Sequence, residues 1–201
     1  LKEGAAPKAL PVPKRAPEEK RDVPALDSLS LEERLRFIPA VNQESFSEVV
    51  LDPARDVALY LYASQGPFAA ASKEKAIYVN RCAERFAELG ISTVTVVRMD
   101  LSSFTAPASV QISEVPALAL FPAFAKEPPH AMFSGKYRPQ HIMWWMEDLA
   151  SRRFNLPELP HLDAMETEAY WEQKARMPPG RQESVALVNE GSARRKALQS
   201  P

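Results

Sequence analysis

The sequence predicts an α/β protein, a mixed sheet flanked by helices. Three observations carry that expectation. Val57–Ala63 is a run of apolar, β-favouring residues with charge before it and a turn after it, the pattern of a central strand covered on both faces. Ile91–Met99, rich in Val and Thr, and Ala117–Phe121 have the same character. Residues 69–89 and Pro139–Ala150 have helical spacing instead, so strands and helices alternate along the chain.

The elements follow in order. Ser30-Leu31-Glu32-Glu33 fits a capping box and opens a short helix to about Phe37, which Pro39 stops. Asn42 caps a second helix with Phe46, Val49 and Val50 on one face, and Asp52-Pro53 ends it. The central strand comes next, then the long helix 69–89, closed by Gly90. After the strand Ile91–Met99, a short helical turn is expected around Pro107–Gln111. Beyond Ala117–Phe121, Lys126–Pro129 makes a turn, His130–Phe133 a short antiparallel strand, and Gly135 opens a loop. The helix Pro139–Ala150 has an expected core stripe of Ile142, Trp145, Met146 and Leu149, with Trp144 pointing partly outward. A further helix is expected over Asp163–Arg176, broken by Pro178-Pro179-Gly180, and a weaker one over 182–198.

Composition bounds the function. A net charge of −1 gives no overall pull toward nucleic acid or an anionic membrane, and Arg152-Arg153 and Arg194-Arg195-Lys196 read as solvated faces. The single cysteine, Cys82, excludes an internal disulfide; its helical spacing with Val79, Ala83 and Phe86 makes it a buried structural thiol. No apolar run approaches the roughly 20 residues that span a bilayer. The 19 prolines cluster toward the ends, which divides the chain into three parts. Residues 1–37 are a Pro-rich arm and a short helix, 38–151 the main domain, and 152–201 a helical extension too small and polar for its own core. The arm is either a tail without regular structure or a segment laid along another surface.

Several short motifs resemble the thioredoxin domains of the protein disulfide isomerase family. Residues 42–57 are similar to the opening of such a domain, an aromatic-containing helix ending at Leu51-Asp52-Pro53. Leu61-Tyr62-Ala63 resembles the tripeptide before the active site, and Arg98-Met99-Asp100 the end of the third strand. Val115-Pro116-Ala117 resembles the cis-proline motif; Leu120-Phe121-Pro122-Ala123 and Phe133-Ser134-Gly135 match two later ones. The resemblance covers a little over half of the chain and implies a thioredoxin-like fold with Pro116 cis. On the same alignment Gly66 and Ala69 occupy the two cysteine positions, and Tyr60 that of the buried proton-transferring acid. A thiolate is the nucleophile of disulfide exchange, so two-thiol chemistry is excluded and no catalytic residue is assigned.

His130, His141 and His161 have no metal-ligand spacing, no phosphate loop or nucleophile elbow occurs, and neither metal nor cofactor is expected. Ser64 reads as a turn or cap residue. Trp144, Tyr170 and Trp171 are either candidate partner contacts or aromatics buried where two helices meet. The first functional expectation is therefore a redox-inactive structural or interaction subunit of a large assembly, holding other protein subunits through its arm and C-terminal helices. A start at Leu1, which a cleaved targeting peptide or an incomplete start would each produce, and the lack of secretory hallmarks make the host a mitochondrial one: a respiratory complex, an ATP synthase or a ribosome. The alternative is a non-catalytic peptide-binding chaperone domain of the endoplasmic reticulum lumen, with an open groove near Gly66–Phe68 and Pro116. An enzyme using non-thiol chemistry is the third possibility, and no convergent acid, base or metal ligand supports it.

Overall fold

The computed structural model describes residues 28–176, so the arm 1–27 and the weaker helix expected over 182–198 lie outside the described residues. The elements are α1 (Leu31–Arg34), α2 (Gln43–Val49), β1 (Asp56–Tyr62), α3 (Ala69–Glu88), β2 (Val94–Asp100), β3 (Ala117–Phe121), β4 (Ala131–Met132), α4 (Pro139–Leu149) and α5 (Ala164–Ala175). The sheet order is β2-β1-β3-β4; β1 pairs parallel with β2 and antiparallel with β3, and β3 pairs antiparallel with β4. This mixed sheet between helices is a thioredoxin-like fold.

Period-two alternation splits the sheet into two faces. Ala58, Tyr60, Tyr62, Val94, Val96, Leu118 and Leu120 turn toward α3 and α4, where Val79, Cys82, Phe86, Ile142 and Met146 meet them. Val57, Leu59, Leu61, Val97, Met99, Ala119 and Phe121 turn toward Phe46 and Val50 at α2. Both faces are covered, so every residue of β1 is buried, as its unbroken apolar run implies.

Local chemistry explains the helix ends. Ser30, Asn42 and Asp163 each form a reciprocal capping box with the residue three places on. Gly90 adopts φ +68, with Gly90 N–H on the Ala87 carbonyl and Ile91 N–H on that of Phe86, a Schellman ending. Ile91 is thereby spent on closing α3, and the strand expected from Ile91 starts at Val94. The helical turn expected near Pro107 is a single turn, Val110 N–H to the Pro107 carbonyl.

The stripe expected on α4 needs correction. Ile142, Met143 and Met146 are buried, while Leu149 is 42% exposed. The helix is rotated so that two wide indoles share its flanks: Trp144 and Trp145 are both partly buried, Trp145 edge-on to Phe133 at 5.3 Å. Slender Met143 fills the centre that neither indole could enter.

Packing runs across both boundaries proposed from composition. Leu35 and Ile38, beside α1, are buried in the core. Beyond α4, Leu156 and Leu159 are buried and Phe154 meets Phe86 edge-on at 5.7 Å. Two α3 arginines grip this segment: Arg85 Nε donates to the Pro160 carbonyl at 2.9 Å, and Arg81 Nε to that of His161 at 3.0 Å. Past it, α5 buries none of its residues, so Tyr170 and Trp171 are not buried between two helices.

Phe133 yields one stability prediction. A Cβ on Gly135 would lie 2.8 Å from its ring, and that ring is wedged edge-on between Tyr137 and Trp145, each at 5.3 Å. Gly135→Ala is expected to cost about 1–3 kcal/mol in denaturant unfolding, the range for overpacking; an unchanged midpoint would show the ring free to move.

Candidate functional site

The turn from β1 into α3 is held from outside itself. Ala63 N–H donates to Ser72 Oγ at 3.0 Å, Ser64 N–H to Asp100 Oδ1 at 3.1 Å, and Gln65 N–H to Ser102 Oγ at 3.1 Å. Asp100 Oδ1 also accepts from Ser102 N–H at 2.9 Å. Partial burial works against the Asp100 charge, but the bonds from Ser64 and Ser102 outweigh it and hold the carboxyl below its ordinary range. The loop after β2 thus braces the loop after β1.

Gly66 lies at the apex with φ +78, and a Cβ there would meet nothing within 4 Å. Backbone conformation, rather than space, asks for glycine. An L-residue in this left-handed region costs roughly 1–2 kcal/mol, so the turn is shaped against a side chain at Gly66. Ala69 begins α3, its N–H on the Gly66 carbonyl at 3.2 Å.

The loop after β1 contributes Ala63, Gln65, Gly66 and Phe68 to the lining of a groove of about 540 Å³, and the segment after β2 contributes Leu101, Ser102 and Val115. Phe68 is 50% exposed there. The Val115–Pro116 peptide is cis. Among the described residues neither the N–H nor the C=O of Val115 has a hydrogen-bond partner. The structure therefore brings Gly66, Ala69 and the residue before Pro116 to one region.

Tyr60 lies inside the protein, away from the groove surface. It is fully buried, its hydroxyl donates to the Ser72 carbonyl at 2.8 Å, and its ring stacks on Tyr62 at 5.8 Å. Burial pushes that hydroxyl far above its ordinary range, so it stays protonated at neutral pH. Cys82 is also fully buried; its thiol donates to the Tyr78 carbonyl at 3.1 Å and burial pushes it up in the same way. A protonated, enclosed thiol is a poor nucleophile.

The remaining candidates lie elsewhere. Trp144 stacks on His141 at 6.1 Å along α4. Tyr170 and Trp171 meet edge-on at 5.1 Å on α5, with Lys174 Nζ 4.5 Å from the Trp171 ring centre. Among the described residues no group of three or more His, Cys, Asp or Glu could hold a metal ion, and no helix is long and apolar enough to cross a membrane.

Sequence reasoning missed three features. Asp56, fully buried at the start of β1, accepts from Ala123 N–H at 2.6 Å, Ser151 N–H at 3.1 Å and Arg152 N–H at 3.2 Å. Phe124 is 76% exposed at φ +63. Pro128–Pro129 is a second cis bond. An acid next to an apolar run was the one available sign, and it pointed only to a strand start.

The chain is similar to several solved structures. Human ERp44 in its zinc-bound form is 17% identical over 55% of this chain and 29% of its own, with a TM-score of 0.45. Full-length ERdj5 is 15% identical over 60% of this chain and 17% of its own, TM-score 0.48. The first thioredoxin domain of mouse protein disulfide-isomerase A4 is 19% identical over 60% and 81%, TM-score 0.47. The chain thus spans less than two thirds of ERp44 and of ERdj5. No protein-family model and no curated protein matches it.

Proposed function

We propose that this chain is a redox-inactive thioredoxin-like domain whose groove holds an extended polypeptide segment without performing chemistry on it. The observation that carries this reading is the meeting of an apolar wall with an unpaired backbone at one place. Phe68, Leu101 and Val115 line the groove, and Val115 offers both its N–H and its C=O. An extended segment laid beside Val115 would pair with those two groups, as in strand addition to an exposed edge, and would set alternate side chains against Phe68. Single-cysteine composition and the protonated Tyr60 support a non-catalytic role. The compartment that accompanies this reading is the endoplasmic reticulum lumen, and it replaces the mitochondrion as the first expectation.

Phe68→Ser tests the groove. The ring is half exposed, so losing its buried half should cost about 1 kcal/mol of stability and leave the protein folded. Covering the exposed half of a phenylalanine stabilises a complex by about 1–2 kcal/mol, and affinity for a fluorescent, permanently unfolded polypeptide should fall about tenfold. Equal affinity of the two proteins would remove the groove reading.

The assembly-subunit reading stays second, favoured by one observation. On α5, Met165 is 73% and Trp171 37% exposed, and an isolated helix of its length is marginal in water. A stable monomer by native mass measurement of the endogenous protein would count against it.

A further inference from the structure

The groove is free of cations in a chain that is 25% charged. Residues 63–72, which supply one wall, contain no charged residue at all. Residues 100–116, which supply the other, contain two, Asp100 and Glu114, and no Lys or Arg. Two cations of the adjoining elements β2 and α3 are turned to other partners. Arg98 pairs with Glu32 at 2.6 Å and donates to the Ile38 carbonyl at 2.9 Å, and Lys75 lies over the Tyr137 ring at 4.6 Å.

Each acid adjoins a residue that lines the groove: Asp100 precedes Leu101, and Glu114 precedes Val115. Asp100 accepts from the Ser64 and Ser102 amides through Oδ1. Its carboxyl is held ionised by the same bonds. Glu114 immediately precedes Val115, is exposed, and makes no ion pair among the described residues. A segment paired with Val115 would run beside Glu114 and past the loop that carries Asp100, with its apolar side chain against Phe68.

We infer that the segment this groove accepts is an apolar one flanked by lysine or arginine, and that acidic flanks are rejected. The inference rests on the peptide-binding reading and adds its selectivity. Opposite charge across a partly open interface favours the matched partner, and like charge suppresses the mismatched one.

The test uses the full chain and three fluorescent nonapeptides with one Leu-Phe-Leu centre and Lys, Ser or Glu flanks. Affinity should fall in the order Lys, Ser, Glu. The extremes should differ about three- to tenfold at low salt, from two partly exposed pairs, and the spread should shrink in 1 M NaCl. Glu114→Gln should narrow the spread without changing the melting temperature, because its carboxylate has no ion-pair partner to lose. Asp100→Asn provides a second reading, since the amide still accepts from Ser64 and Ser102 through one oxygen. Equal affinity for all three peptides would overturn the selectivity and leave the groove reading intact. Preference for the Glu peptide would overturn it too, and binding of none would remove both.

Discussion

Asp56→Ala is expected to lower the unfolding free energy by about 3–5 kcal/mol, the range for breaking a buried charged network by removing one partner. The carboxylate has no exposure and holds two loops at once: Ala123 after β3, and Ser151 and Arg152 after α4, donate to it. Its removal leaves three backbone donors without their acceptor. It also strips a charge partner from Lys126, whose ammonium donates to the Arg55 carbonyl at 2.7 Å and to that of Phe121 at 2.8 Å. For a domain of this size the loss corresponds to a melting temperature lower by roughly 6–20 °C. Glu127→Ala, an exposed acid in the adjoining loop, is the control and should change little. A change below about 2 °C for Asp56→Ala would mean that water replaces the carboxylate at little cost.

Stability should fall steeply above about pH 10.5, because two fully buried acids cannot ionise in place. In an unfolded chain a tyrosine titrates near 10 and a cysteine near 8.5; burial holds Tyr60 and Cys82 protonated well beyond that. The folded state then binds more protons than the unfolded one. Stability from these groups is therefore whole below the unfolded values and lost as pH rises, at about 1.4 kcal/mol per group per pH unit. Lys126 acts in the opposite sense. Burial, opposed by Asp56 and Asp52, pushes it down to about 8, so between about 8 and 10.5 the unfolded state binds the extra proton and stability rises with pH. Its partial exposure reduces that gain. Once Lys126 is neutral in both states, Tyr60 and Cys82 together remove nearly 3 kcal/mol per pH unit, about 4 kcal/mol between pH 10.5 and 12, a large share of a typical domain's stability. Absorbance at 295 nm and circular dichroism should change together there, with Tyr60 ionising only as the fold is lost. A smooth titration of all five tyrosines with intact dichroism would contradict the burial argument.

What the sequence made legible was local or periodic. The caps Ser30, Asn42 and Asp163 bond within three residues of themselves, and Gly90 ends its own helix, so each could be read from neighbours alone. The central strand was plain because both of its faces are covered. The Asp56 network was hidden because its donors lie 67, 95 and 96 residues away. The same distance problem hid the grip of Arg81 and Arg85 on residues 160 and 161. On α4, spacing proposed a stripe but could not say which side of two adjacent tryptophans would face the sheet. At the groove, the missing cysteines were visible in the sequence. The left-handed Gly66 and the bracing by Asp100 and Ser102 needed the second loop to be placed beside the first.

Mapping the backbone amides by NMR while an unfolded apolar peptide is titrated into the full chain tests the central claim most directly. The account predicts concentration-dependent shifts at Gly66, Phe68, Ser102 and Val115, with the amides of α5 unmoved. Shifts confined to Met165–Trp171, or none at the groove at millimolar peptide, would contradict it.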